Sequence, residues 1–196
     1  MANTDADFKS GTMTRPAQPA PIIVRSARLS PCGRFRWTLT RKWGNGESIC
    51  WVMLNPSRAD HRRDDPTIRR AMQFTRAWCF DGFTVVNLYP FRSPYPADCR
   101  RWAGTRTVQR ALRRNAKIVA RETMNAAVVV AAWGVSAWDS DWIDAVVAAI
   151  IANGNPVRGI YCLGTTKAGH PKHPLARGKH RIANNQRPVL WRSCGN

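Results

Sequence analysis

Acidic residues are scarce in this chain. Its 196 residues include 12 Asp and Glu against 31 Lys and Arg, for a formal charge of +19. A surface that positive attracts polyphosphates, and counterion release makes the attraction favourable. No amphipathic anchor accompanies the charge, which favours nucleic acid over anionic lipid. Long apolar runs are lacking too, and no stretch approaches the length of a transmembrane helix. Residues 1–24 contain Asp5 and Asp7 and no apolar h-region, so they do not read as a signal peptide. The six cysteines form no CxxC pair, which argues against a zinc ribbon. They read as free thiols of a reduced cytosol, several of them buried. No internal repeat is present. The expectation is a soluble cytoplasmic protein, acting in a nucleoid or a phage-infected cell, with nucleic acid as partner, DNA foremost, and no membrane.

Hydrophobic residues make up 44% of the chain, enough for a real core. Residues 1–24, with Pro16, Pro19 and Pro21, read as a disordered arm, and 25–196 as a single α/β domain. Phe35, Trp37 and Leu39 alternate with Arg34, Arg36 and Thr38, the period of a half-buried strand. Gly44-Asn45-Gly46 then supplies a turn into the apolar run Ile49 to Leu54, so the pair reads as an N-terminal β-hairpin. Pro66 opens a helix to about Trp78, capped by Asp64 or Asp65, which buries Ile68, Ala71, Met72 and Thr75. Thr84 to Leu88 reads as a strand, 98–123 as one helix, and Ala126 to Trp133 as a central strand. Ile143, Val146, Val147, Ile150 and Ile151 keep helical spacing, and Asn153-Gly154 stops that helix. Strands follow at Gly159 to Leu163 and Val189 to Trp191.

Strands alternating with helices imply a three-layer α/β/α domain with a mainly parallel central sheet. Ligands of such sheets sit outside the carboxyl ends of the strands. The site is therefore expected after Leu54, Val86, Trp133 and Leu163. Those segments hold the unusual residues: Asn55-Pro56-Ser57 running to Asp64-Asp65-Pro66-Thr67, then Asn87 to Arg92, Trp133-Gly134, and Lys167 to Leu175 with its two His-Pro steps. Each has an ordinary explanation, as a turn opener, a strand tie, a core residue or a solvated loop. What sets them apart is that all four fall at expected strand ends.

On these stretches the chain resembles the bacterial and phage family catalogued as domain of unknown function 1643, over about residues 30–192. More distantly, the order of motifs is similar to the uracil-DNA glycosylase superfamily. That resemblance implies a uracil-DNA glycosylase-like fold and a DNA N-glycosylase acting on a modified or damaged base. It implies that Asn55, beside Pro56, positions water, that Asn87 reads the base edge, and that a His-Pro loop at 169–175 enters the minor groove and stabilises the departing base. Leu54 stands where that superfamily usually has glycine, and the cysteine set of its iron–sulfur members is lacking. No cofactor or metal is expected.

The chemistry asks for such residues. A base must leave the duplex before its glycosidic bond can be attacked. The amide of Asn87 can read a pyrimidine edge, Tyr89 or Phe91 can stack on the flipped ring, and Trp133 would lie at the cleft floor. His170, preferred because Gly169 before it lets the backbone approach closely, or His173 can donate to the departing base, and Asp60, Asp64 or Asp65 can favour a cationic sugar or orient water. For Asp64 and Asp65 a helix cap is the competing role. Arg92, Lys167, Lys172, Arg177, Lys179 and Arg181 are the expected phosphate contacts. Arg110, Arg114, Lys117 and Arg121 form a basic helical stripe that is a solvated face or a backbone track. A non-catalytic base-sensing module in phage defence or DNA modification and an enzyme on free nucleotides are the alternative functions.

Overall fold

The computed structural model describes residue 21 and residues 24–152 and 159–193. The arm expected at 1–24 lies almost wholly outside the described residues, as does the stop at Asn153-Gly154. Seven strands, β1 (Val24–Leu29), β2 (Arg36–Lys42), β3 (Ser48–Met53), β4 (Gly82–Asn87), β5 (Val129–Ala131), β6 (Gly159–Cys162) and β7 (Val189–Ser193), form one sheet in the order β1-β2-β4-β3-β5-β6-β7. The helices are α1 (Pro66–Ala77), α2 (Pro96–Ala103), α3 (Gln109–Met124) and α4 (Ser140–Ala152).

The expectation of a mainly parallel sheet is corrected to a mixed one. β4, β3, β5 and β6 run parallel. β1 and β2 at one edge and β7 at the other pair antiparallel. The parallel part follows from its helical crossovers, since parallel neighbours need a long return path. The flanking strands return by short loops or, for β7, after the long His-rich segment.

The expected hairpin is also corrected. β2 and β3 do not pair, because β4 lies between them, bonded antiparallel to β2 and parallel to β3. The turn at Gly44–Gly46 wraps Asp81, the residue just before β4. Gly46 N donates to Asp81 Oδ2 at 2.7 Å and Trp43 N to Asp81 O at 2.8 Å. A Cβ on Gly44 or Gly46 would collide with that carboxylate. The N-terminal hairpin that does form joins β1 to β2. β1 leaves no apolar signature in the sequence because it is an edge strand, largely solvent-exposed.

The helix expected over 98–123 is two helices, α2 and α3. Gly104 caps α2, and Thr105 Oγ1 donates to Trp102 O at 2.9 Å, which ends the first helix before the second begins. α1 forms where its signals place it, but with Phe74 buried beside Ile68, Ala71 and Thr75 and Met72 only partly so. Asp65 is the N-cap, accepting from Ile68 N at 2.9 Å, and Pro66 occupies the first turn.

Strand alternation sends side chains to two cores. Ile49, Trp51, Met53, Phe83, Val85 and Val130 meet α1 on one face. Cys50, Val52, Val86, Val129 and Ala131 meet α3 and α4 on the other. Trp51 stacks on Trp78 at 5.4 Å, and its Nε1 donates to Thr75 Oγ1 at 3.1 Å. Each large side chain so buried contributes about 1.5–3 kcal/mol. Cys32, Cys50, Cys79, Cys99 and Cys162 are free thiols, with Cys50, Cys99 and Cys162 buried. Among the described residues no helix is long and apolar enough to cross a membrane.

Candidate functional site

The parallel strands end at a cavity of about 480 Å³. β3 delivers Met53, Leu54 and Asn55 to it. The segment after β4 brings Ser93 and Pro94, the one after β5 Trp133 to Ser136, and the one after β6 Thr166, Lys172 and His173. The start of α1, with Asp65, Thr67 and Ile68, closes one side. The size suits a small ligand or one nucleoside.

His173 is held from two directions. Its Nδ1 accepts from Leu175 N at 3.1 Å, so the neutral ring carries its proton on Nε2. Gly134, at φ +75°, lets the chain after β5 pass close beside it, and a Cβ there would stand 3.0 Å from His173 Cβ. Gly134 N also donates to Pro171 O at 2.9 Å. Burial pushes the His173 pKa below its ordinary value, and the Asp65 charge pulls it partly back. The ring is therefore a neutral donor at neutral pH.

The same shift has a stability consequence. The unfolded chain protonates this histidine near its ordinary value of 6.5, the folded chain only at lower pH. Between the two the unfolded state holds more protons, so stability falls as pH drops below about 6.5. Thermal melts from pH 7.5 to 5 should show that loss, and His173→Gln should make the profile shallower. An unchanged profile in the variant would sink the assignment.

Four charged side chains line the cavity: Asp65, Arg36, Lys172 and Arg177. Asp65 uses one carboxylate oxygen as the cap of α1. Among the described residues no donor reaches the other. Arg36 is 2% exposed, donating Nη1 to Ala59 O at 3.0 Å and Nη2 to Asn87 Oδ1 at 3.1 Å. Burial pushes its pKa down to about 10, partly countered by Asp65. Lys172 and Arg177 add positive charge to the wall. Tyr95, Val135 and Leu175 are exposed large hydrophobics within or beside the lining segments.

Asn55, Trp133, Lys172, His173 and Arg177 thus come together. Asn55 Nδ2 donates to Ser93 O at 2.8 Å and ties the loops after β3 and β4, leaving Oδ1 available. The other expected residues lie elsewhere. Asn87 is 1% exposed and sits behind Arg36 rather than on the lining. Tyr89 is buried, stacked on Trp138 at 4.6 Å, and burial pushes its phenol pKa up. Phe91 stacks on Trp102 at 5.2 Å. Asp60 closes its own loop by accepting from Arg62 N at 2.8 Å and Arg63 N at 2.9 Å, which lowers its pKa. Asp64 pairs with Arg41 at 2.7 Å and Arg25 at 2.9 Å. Arg92 donates to Gly33 O at 3.2 Å. His170 sits in the tight turn Thr166–His170, whose ends join by Thr166 N to His170 O at 2.9 Å. Lys167, Lys179 and Arg181 are exposed and off the lining.

Arg36 is the principal residue that sequence reasoning missed. Its alternation with Phe35 and Trp37 assigned it to a wet face, yet Arg36, Trp37, Thr38 and Leu39 are all buried. The available signal was an arginine inside a strand of a sheet expected to be covered on both faces. Asp65 was read only among alternatives, and it is both cap and lining. Among the described residues no cluster of His, Cys, Asp and Glu is placed to hold a metal ion.

The chain belongs to the family described as protein of unknown function (DUF1643), whose model matches residues 36–175. The matched span opens at Arg36 and closes at Leu175, and both line the cavity. No curated protein and no solved structure matches the chain.

Proposed function

We propose that this DUF1643 member is a base-processing protein of nucleic acid, an N-glycosylase-like enzyme whose cavity receives a modified or damaged base of DNA. One observation carries the reading: the carboxylate of Asp65 and the neutral Nε2–H donor of His173 share one cavity at the strand ends, beneath cationic walls. Breaking the bond between C1′ and the base nitrogen sends its electron pair into the base. His173 Nε2–H would stabilise that charge, and Asp65 would accept a proton from the water that adds to C1′. Asn55 Oδ1 is a second acceptor for that water. The distant likeness of the Asn55-Pro56 and His-Pro segments to uracil-DNA glycosylases supports the same reading, including a glycosylase-like fold.

The test is mass spectrometry for bases freed from varied DNA, phage DNA included, with Asp65→Asn as control. Asn preserves a good helix cap while removing the charge. Release by the parent chain and none by the variant is expected. Binding should also weaken steeply with salt, by a slope of roughly −0.9 per neutralised phosphate of duplex DNA. Arg177→Ala with Lys179→Ala and Arg181→Ala should flatten it.

A second reading has its own observation. Asn87, the expected reader of the base edge, is engaged by Arg36 and stays off the lining. That suits a module that senses a base without cleaving it. Tight DNA binding with no freed base would favour it, and activity on mononucleotides alone would favour a nucleotide enzyme.

A further inference from the structure

Arg36 lacks the partner its burial demands. It is 2% exposed, and among the described residues no carboxylate oxygen lies within 4.0 Å of its guanidinium. Its hydrogen bonds go to a neutral carbonyl and a neutral amide. Its Nε–H is buried and unbonded, and so is Asn87 Nδ2 beside it. A buried guanidinium is retained where a negative charge meets it. Arg41, equally buried five residues along the same strand, has such a charge in Asp64. The cavity that Arg36 lines also carries Lys172 and Arg177 against a single acid, Asp65. The first turn of α1 opens into it, and helix N-termini favour anions.

We infer that Arg36 is an anion seat, and that the ligand of this cavity carries an anionic oxygen group, a phosphate ester or a carboxylate, on the part that penetrates deepest. This deepens the base-pocket reading and rests on it for the location of the ligand. A guanidinium edge offers such a group charge-assisted bonds that a neutral nucleoside cannot accept as well. The group comes either from a nucleotide phosphate or from an acid substituent on the base.

The experiment follows the Arg Nε–H signals of the full chain by ¹⁵N–¹H NMR, with calorimetry alongside. The probes are inorganic phosphate, thymidine 5′-monophosphate, 5-carboxy-2′-deoxyuridine and, as neutral control, thymidine. The Arg36 signal should move with at least one anionic probe and not with thymidine. The effective probe should bind at least about tenfold tighter than thymidine, the scale of one bond to a charged group. The monophosphate and the carboxylated nucleoside identify the source of the charge. Arg36→Lys should reduce the difference, and if that variant does not fold, the wild-type signals decide alone. An Arg36 signal indifferent to every anion, or no anionic probe held tighter than thymidine, overturns the inference. Base release is assayed in parallel. Anion binding without release would end the glycosylase reading and leave the seat standing, and release of a neutral base with a silent Arg36 would do the reverse.

Discussion

Replacing Asp64 with Ala should destabilise the fold by about 3–5 kcal/mol, the range for removing one partner of a buried ion pair. The Arg41 side chain is fully buried, and Asp64 is its acid partner. Arg41 Nε also donates to Asp64 Oδ1 at 2.8 Å, and Nη1 donates to Thr40 O at 2.8 Å. Without the carboxylate, a guanidinium inside the protein keeps its desolvation and loses its compensating charge. The exposed side of the same carboxylate, facing Arg25, contributes little by comparison, since Arg25 is partly solvated. Urea unfolding of the variant gives the loss directly. Removing both charges with Arg41→Met in the Asp64→Ala background should recover part of it, because no buried charge is then stranded. A loss below about 1 kcal/mol for Asp64→Ala would show that water reaches Arg41 after all.

Asp65→Asn should act on chemistry instead. Its cap survives, so stability should change by less than about 1 kcal/mol. On the proposed reaction, single-turnover base release should fall by about 10² to 10³, and His173→Ala should lose a similar factor, as for a lost oxyanion donor. DNA affinity should hold in both, since the charge each group meets develops only as the bond breaks. His170→Ala should leave the rate intact, because His170 lies in a turn off the cavity. If His170→Ala slows release and His173→Ala does not, the assignment is reversed.

The contrast between neighbours shows what sequence can and cannot convey. The strand ends were legible because apolar runs such as Ile49 to Leu54 and Ala126 to Trp133 announce buried parallel strands, and the topology of such sheets fixes where a cavity opens. Of the chemistry-bearing residues expected at those ends, Asn55, Trp133, Lys172, His173 and Arg177 line the cavity, whereas Asn87 and His170 do not. Partner choice was not. Nothing local distinguishes Asp64, turned to Arg41, from Asp65, turned to the cavity. Nor does the spacing of Gly44 and Gly46 reveal that their turn encloses Asp81 rather than closing a hairpin. Arg36 was hidden by its own alternation, because period two assigns a face but not whether that face is wet. These are contacts between segments far apart in the chain, and local pattern carries no record of them.

The stretch from Asp60 to Asp65 spends three acids in six positions. One folds the stretch on itself, one meets a buried arginine, and one looks into the cavity. Loops between a strand and a helix ordinarily tolerate length changes better than any other part of a domain. This one should not. A single residue inserted between Asp60 and Asp64 breaks the turn that Asp60 closes on Arg62 N and Arg63 N, and with it the spacing of the Asp60 and Arg63 carbonyls that bond buried Arg41 together with Asp64. Insertions of one to three residues there should therefore be rejected as strongly as a core substitution, and the same insertions in the exposed turn at Ser30–Gly33 accepted. A deep insertion scan read out by folding would show whether six residues on the surface of a loop have the length tolerance of an interior.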